Sequence, residues 1–556
     1  MNKIYIYIIL IITSLSISFC DEKIPESHLQ IIEQMTLKQK IGQMLIVGVP
    51  GNEISDMSKS IIEKYLPGGI ILYGYNIKDE DKLKYFIYYM QQLSLHSSKI
   101  PLFMSIDQEG GRVKRITEGI TQFPGNMAFG IVNDTELTYN AARILGIQLR
   151  LIGVNMNLAP VLDVNNNPSN PVINTRSFGS LQSVVSRMGA AYIRGLQESD
   201  CIAVGKHFPG HGDTDKDSHH TLPHIDYDIN RLKQVEFPPF VNAIKNKVGG
   251  IMTAHISYPK ILNNNLPATI SKKFIKNILR EEMKFNGLII SDDIEMKAIS
   301  RLMSIGDAAV KTITAGVDIV LISSHGNNIG RIKDAIMKAV QNGTIDINAI
   351  NNSVRRILKA KLYFNIMRLN KGKAEYGNKK YSHDELKLLS RAEKINTIVS
   401  QKAIYYYGKK DFNIFVNSNK LIVRTSNNIL KKEISNNIKN PIILDSDREF
   451  LRSIMRFEIN KKDLSDKKDI IYCYHAERTK VELINKLIKT AHKKKAKLLI
   501  VSTGNPFSLC KHKNLPSTLF TFSNTDESLK LIVKALKGEF NPKKEINFHI
   551  GTGNSM

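Results

Sequence analysis

The stretch Ile202-Ala-Val-Gly-Lys-His-Phe-Pro-Gly-His-Gly-Asp-Thr-Asp-Lys-Asp-Ser-His-His220 joins an apolar run to a loop dense in ionisable groups. Residues 202–204 read as a buried strand, and the Pro-Gly and Gly-Asp pairs after them read as a loop. Four histidines and three aspartates fall within residues 206–220. A merely solvated loop has little reason to concentrate such groups, whereas proton transfer near neutral pH needs them. Chemistry is therefore expected just past the C-terminal end of a buried strand.

Seven more short apolar runs stand at 44–47, 69–73, 102–106, 154–158, 250–253, 288–290 and 318–322. Helical-looking segments such as 81–95 and 186–197 lie between them. Continuous apolar strands alternating with helices indicate βαβ units and a parallel sheet covered on both faces. Eight such runs predict an α/β chain with an N-terminal (β/α)8 TIM-type barrel. Asp107, Lys206-His207, His255 and Asp292-Asp293 come after the third, fifth, sixth and seventh runs. In a barrel the strand C-termini converge on one mouth, whereas a doubly wound open sheet would spread these residues apart.

Outward from the barrel the chain divides further. Residues 1–20 form a signal segment: Lys3, a continuous apolar run from Ile4 to Phe19, Cys20, then a charged continuation. Cys20 sits where bacterial lipoprotein signals place a lipidated cysteine, although Phe19 departs from the small residue usual before it. The barrel is expected over 21–368, a linker over 369–384, a second, smaller α/β layer domain over 385–540 and a loosely ordered tail over 541–556. Within the second domain, apolar runs at 414–416, 421–423, 442–444, 470–474 and 498–501 alternate with helical stretches at 385–399, 480–493 and 526–536. Cys201, Cys473 and Cys510 are far apart with no CxxC spacing and read as buried hydrophobes. The net charge of +26 comes mostly from scattered lysine without an arginine cluster, so no nucleic-acid partner is expected. Membrane contact is expected only through the N-terminal segment or a lipid on Cys20.

Three segments carry a family resemblance: residues 106–115 (IDQEGGRVKR), residues 206–219 (KHFPGHGDTDKDSH) and residues 290–294 (ISDDI). Arg176-Ser-Phe-Gly179 and Ala315-Gly-Val-Asp318 follow in matching order. The sequence resembles glycoside hydrolase family 3, within it the bacterial β-N-acetylglucosaminidases that act on peptidoglycan sugars. The likeness covers 37–364 strongly and the C-terminal part weakly.

The resemblance implies a retaining, two-step hydrolysis of terminal N-acetylglucosamine from peptidoglycan fragments or related glycans, without metal or organic cofactor. It makes Asp292 the nucleophile, His219 with Asp217 the acid/base dyad, and Asp107, Arg115, Arg176, Lys206 and His207 the sugar-binding residues. Adjacent Asp293 is the rival nucleophile. Strand alternation would point only one of the pair at the mouth, and Asp293 could instead cap a helix starting near Ile294. Arg112 is read as a buried ion-pair partner of Glu109 or Asp163, and His211 as part of the loop's framework. A metal site built from His207, His211, Asp213 and His219 competes locally, but its His pair sits in a Pro-Gly loop rather than on one helix face. Two other readings remain: a β-N-acetylglucosaminide phosphorylase, and a non-catalytic glycan-binding envelope lipoprotein. The sequence leaves the oligomeric state open.

Overall fold

The computed structural model describes residues 31–218 and 220–370. Beyond them it describes 373–376, 380–408, 412, 421–425, 427–438, 441–444, 469–474, 481–493, 497–504, 506, 509, 515–544, 549–550 and 554–555. The signal segment with Cys20, the run at 414–416, His219 and Cys510 lie outside the described residues. Cys201 is buried and unbridged. Among the described residues, no helix is long and apolar enough to cross a membrane.

All eight expected barrel strands form: β1 Leu45–Gly48, β2 Gly69–Leu72, β3 Phe103–Ile106, β4 Met156–Asn157, β5 Ile202–Phe208, β6 Gly250–Thr253, β7 Leu288–Ile290 and β8 Val320–Ile322. They pair in parallel in the order β7-β6-β5-β4-β3-β2-β1-β8. A parallel bridge between Ile290 and Ile319 closes the ring. Every strand residue is buried, because side chains fill the barrel inside and helices such as Glu80–Ser97, Thr135–Ile152 and Gln182–Gln197 cover it outside. Buried Asp318 pins the closing seam: its carboxylate accepts from the Ile289 amide and from Arg280, Arg356 and Ser353.

Two strands depart from the sequence reading. β4 shrinks to two residues because amide side chains replace its ladder: Asn155 accepts from the Met104 amide at 2.8 Å, and Asn157 from that of Gln108 at 3.0 Å. β5 runs on through Lys206 and His207, expected in the loop, because the Lys206 backbone pairs with Pro160 and Leu162. The peptide bonds Lys206–His207, Phe208–Pro209 and Ala159–Pro160 are cis.

After the barrel, an antiparallel hairpin of β9 Met367–Asn370 and β10 Lys373–Tyr376 occupies part of the expected linker. The helical stretch at 385–399 is two helices, His383–Leu389 and Ala392–Lys402. A six-stranded sheet follows: β11 Tyr405–Tyr407, β12 Leu421–Arg424, β13 Ile442–Leu444, β14 Asp469–Tyr474, β15 Lys497–Ser502 and β16 Ser517–Phe520. Its order is β11-β16-β15-β14-β12-β13, parallel except where β11 meets β16. The sequence reading missed β11 and β16, whose Tyr- and Thr-containing runs lack a long aliphatic core. The tail is tied down at Lys543, whose carbonyl accepts from the Tyr406 amide at 2.8 Å.

The barrel helix Asn126–Val132 joins the two layers. Met127 and Ala128 are fully buried in the cluster formed by Tyr405, Tyr472, Ile500 and Phe520 of the second sheet. Met127→Ala should therefore cost about 2–5 kcal/mol, read as a lowered denaturant midpoint for unfolding of the second sheet.

Candidate active site

The floor of the barrel mouth is a chain of alternating charges. Lys206, at the end of β5, reaches Asp107 Oδ1 at 2.7 Å and Glu109 Oε1 at 2.8 Å. Arg176 grips Glu109 with two bonds, Nε to Oε2 and Nη2 to Oε1, both 2.9 Å. Arg115 stands 3.5 Å from Asp107 Oδ2 and lies over the Tyr73 ring at 5.9 Å. Burial acts to raise the Glu109 carboxyl, but Arg176 and Lys206 outweigh it and hold that group well below the usual carboxylate range. Burial acts to lower Lys206, and Asp107 with Glu109 reverses the effect and raises it. Both groups are therefore charged at neutral pH, presenting fixed donors and acceptors in a site shielded from water.

The loop after β5 hangs from one buried carboxylate. Asp163 accepts from the amides of His207 (3.2 Å) and His211 (2.7 Å) and contacts His207 Nδ1 at 2.7 Å. The His211 ring then bridges Thr214 Oγ1 at 2.9 Å and Ser218 Oγ at 3.0 Å. Burial pushes its pKa down to about 4, so the ring is neutral, with one nitrogen donating and the other accepting. This agrees with the framework role expected for His211. Gly212 is required because a Cβ there would sit 1.8 Å from the Val164 carbonyl oxygen. The loop is thus held on both sides of Asp217, which borders the cavity.

Past β7, Asp292 and Asp293 both border that cavity, contrary to the expectation from alternation. The strand stops at Ile290, so the pair lies in a turn where pleat alternation no longer applies. Asp293 does not cap a helix near Ile294, since the next one spans Lys297–Ser300. Its Oδ1 instead accepts from the amides of Glu295 (3.1 Å) and Ser323 (3.2 Å). The two carboxyls differ electrically. Burial acts to raise Asp292, but His255, His207, the Asp293 amide and Lys206 bring it below its ordinary value. Burial lifts Asp293 to about 6. His255 is itself held by Thr269 Oγ1 at 2.8 Å and by the Asp293 carbonyl at 2.9 Å.

One cavity of about 370 Å³ thus gathers Asp107, Arg115, Arg176, Lys206, His207, Asp217 and Asp292. Arg112 is exposed at its rim rather than buried, because Glu109 is taken by Arg176 and Lys206, and Asp163 by His207. Among the residues weighed as metal ligands, both His211 ring nitrogens face hydroxyls, and Asp213 lies 3.5 Å from Arg231. The sequence reading places His255 at the mouth without a role there, and it omits Glu109 and Asp163 from the site. Glu109 and Asp163 were weighed only as partners of Arg112. The signal that placed His255 at the mouth is its position just past the sixth apolar run.

Residues 36–360 match the glycosyl hydrolase family 3 N terminal domain. The β-hexosaminidase A of Pseudoalteromonas piscicida is 36% identical over 323 residues, a match that spans 54% of this chain and 54% of that protein. The chain thus covers about half the length of that relative. The β-hexosaminidase of Idiomarina loihiensis is 31% identical over 53% of this chain and 88% of its own length. The structure of a family 3 β-N-acetylglucosaminidase from Paenibacillus superposes with a TM-score of 0.81 at 30% identity, covering 93% of this chain and 99% of that one.

Two outcomes follow from the charge pattern. Glu109→Gln should destabilise the protein by about 3–5 kcal/mol, since Arg176 and Lys206 lose the carboxylate they share; chemical denaturation measures it. For Asp293, a folded pKa of about 6 against an ordinary 3.8 means that stability falls as pH rises from about 4 to about 6. Asp293→Asn removes that penalty, so its stability relative to wild type should grow over this window by roughly 2–3 kcal/mol, measured from denaturant midpoints at each pH.

Proposed function

The chain belongs to glycosyl hydrolase family 3, and from that premise we propose that it is a retaining β-N-acetylhexosaminidase. The observation that carries this reading is the convergence of a depressed carboxylate, Asp292, with Asp217 of the 206–220 loop on one charged cavity. Asp292, ionised at working pH, attacks the anomeric carbon. As the glycosidic bond breaks, the leaving oxygen takes a proton from His219, which acts with Asp217 as the acid/base dyad. The glycosyl–Asp292 ester is then opened by water, which returns a proton to His219. Asp107 and Lys206 meet sugar hydroxyls, while Arg176 and His207 shape the pocket around them.

The names carried by the relatives support N-acetylglucosamine-containing glycans as substrate. The leader over 1–20 supports export to the cell envelope, where peptidoglycan fragments supply such termini. Lipidation of Cys20 would anchor the protein there and is tested by mass spectrometry of the mature N-terminus.

The deciding assay is release of p-nitrophenol from an aryl β-N-acetylglucosaminide, with and without phosphate. Asp292→Ala should lose at least about 10³-fold in kcat and His219→Ala about 10²–10⁴-fold. A fully active Asp292→Ala would move the nucleophile elsewhere. Sugar phosphate as product would make the chain a phosphorylase, and no turnover by folded wild type would leave glycan binding alone.

A further inference from the structure

The charged floor suits one sugar, and an aromatic strip leaves the same cavity. Tyr73, directly after β2, lines the cavity. Two residues on, the Tyr75 ring stacks on it at 5.7 Å and 17°. Tyr75 is 50% exposed, a large apolar face left in water at the mouth. Across from it, His325 meets Tyr75 edge-on at 6.5 Å and 61°. His325 sits in the loop after β8, two residues beyond Ser323, which also lines the cavity. The strip therefore runs from the lining of the cavity that holds Asp292 out to solvent.

The chemistry of the strip is opposite to that of the floor. Lys206, Asp107, Glu109 and Arg176 offer charged groups suited to hydroxyls at the rim of a ring. Tyr75 offers a flat face, which suits the C–H face of a pyranose whose hydroxyls are all equatorial. A substrate whose terminal sugar occupies the floor must carry its leaving sugar out through the mouth. We propose that Tyr75, backed by Tyr73 and flanked by His325, is the platform on which that leaving sugar rests, selecting β-linked glycans over compact aglycones. This assignment rests on the hydrolase reading.

The test compares two substrates with the same terminal sugar: the β-linked disaccharide of N-acetylglucosamine, and N-acetyl-β-glucosaminyl fluoride, whose leaving group has no ring. Tyr75→Ala in the full chain should lower kcat/KM on the disaccharide roughly three- to tenfold more than on the fluoride, mainly through KM. Tyr75→Trp should restore disaccharide turnover. Equal losses on both substrates would reduce Tyr75 to a structural support for Tyr73 and overturn the platform, as would no loss on either. Wild type inert on both substrates would overturn the hydrolase reading itself, an outcome distinct from failure of the platform alone.

Discussion

The buried pairing of Lys206 with Asp107 and Glu109 is the constraint on which the site depends. A lone ammonium or carboxylate at this depth would neutralise rather than stay charged. Lys206 and Glu109 remain ionised because each has a partner of opposite charge within about 3 Å. Lys206 belongs to β5 whereas Asp107 and Glu109 follow β3, so the charges also fix the relative placement of these two strand ends. Arg176 extends the chain to a third segment, and Asn126 ties that segment to the helix shared with the second sheet through its bond to the Arg176 carbonyl at 2.7 Å. The second layer therefore bears on the cavity through position, with Met127 and Ala128 as its apolar footing.

Asp163 plays the corresponding part for the loop after β5. One carboxylate satisfies two backbone amides and a histidine ring, which fixes a Pro-Gly loop that has no helix or sheet of its own beyond Phe208. Neutral His211 then relays the constraint to Ser218, next to Asp217. Asp292 and Asp293 show the same economy in a shorter span. They are neighbours in sequence, yet one faces positive groups and the other faces burial, so their proton affinities part in opposite directions.

Much of this was legible in the residues. Eight apolar runs, four of them followed by ionisable residues, were sufficient for the barrel, because buried parallel strands leave an uninterrupted hydrophobic signature. The dense loop at 206–220 marked its own chemistry through composition. By contrast, β4 was over-read, because the amides of Asn155 and Asn157 take over its ladder through contacts some fifty residues away in sequence. β11 and β16 were missed because short strands rich in Tyr and Thr have no period strong enough to stand out.

By itself, then, the sequence determined the barrel, its mouth and part of the set of ionisable side chains that meet there, since strand hydrophobicity and residue type are local properties. Tertiary structure alone decided which charges pair. Glu109 chose Arg176 and Lys206 over the adjacent Arg112, and both aspartates of the 292–293 pair reached the cavity once the strand had ended. Pairing depends on distance and shared burial between segments far apart in the chain, which no spacing along it can express.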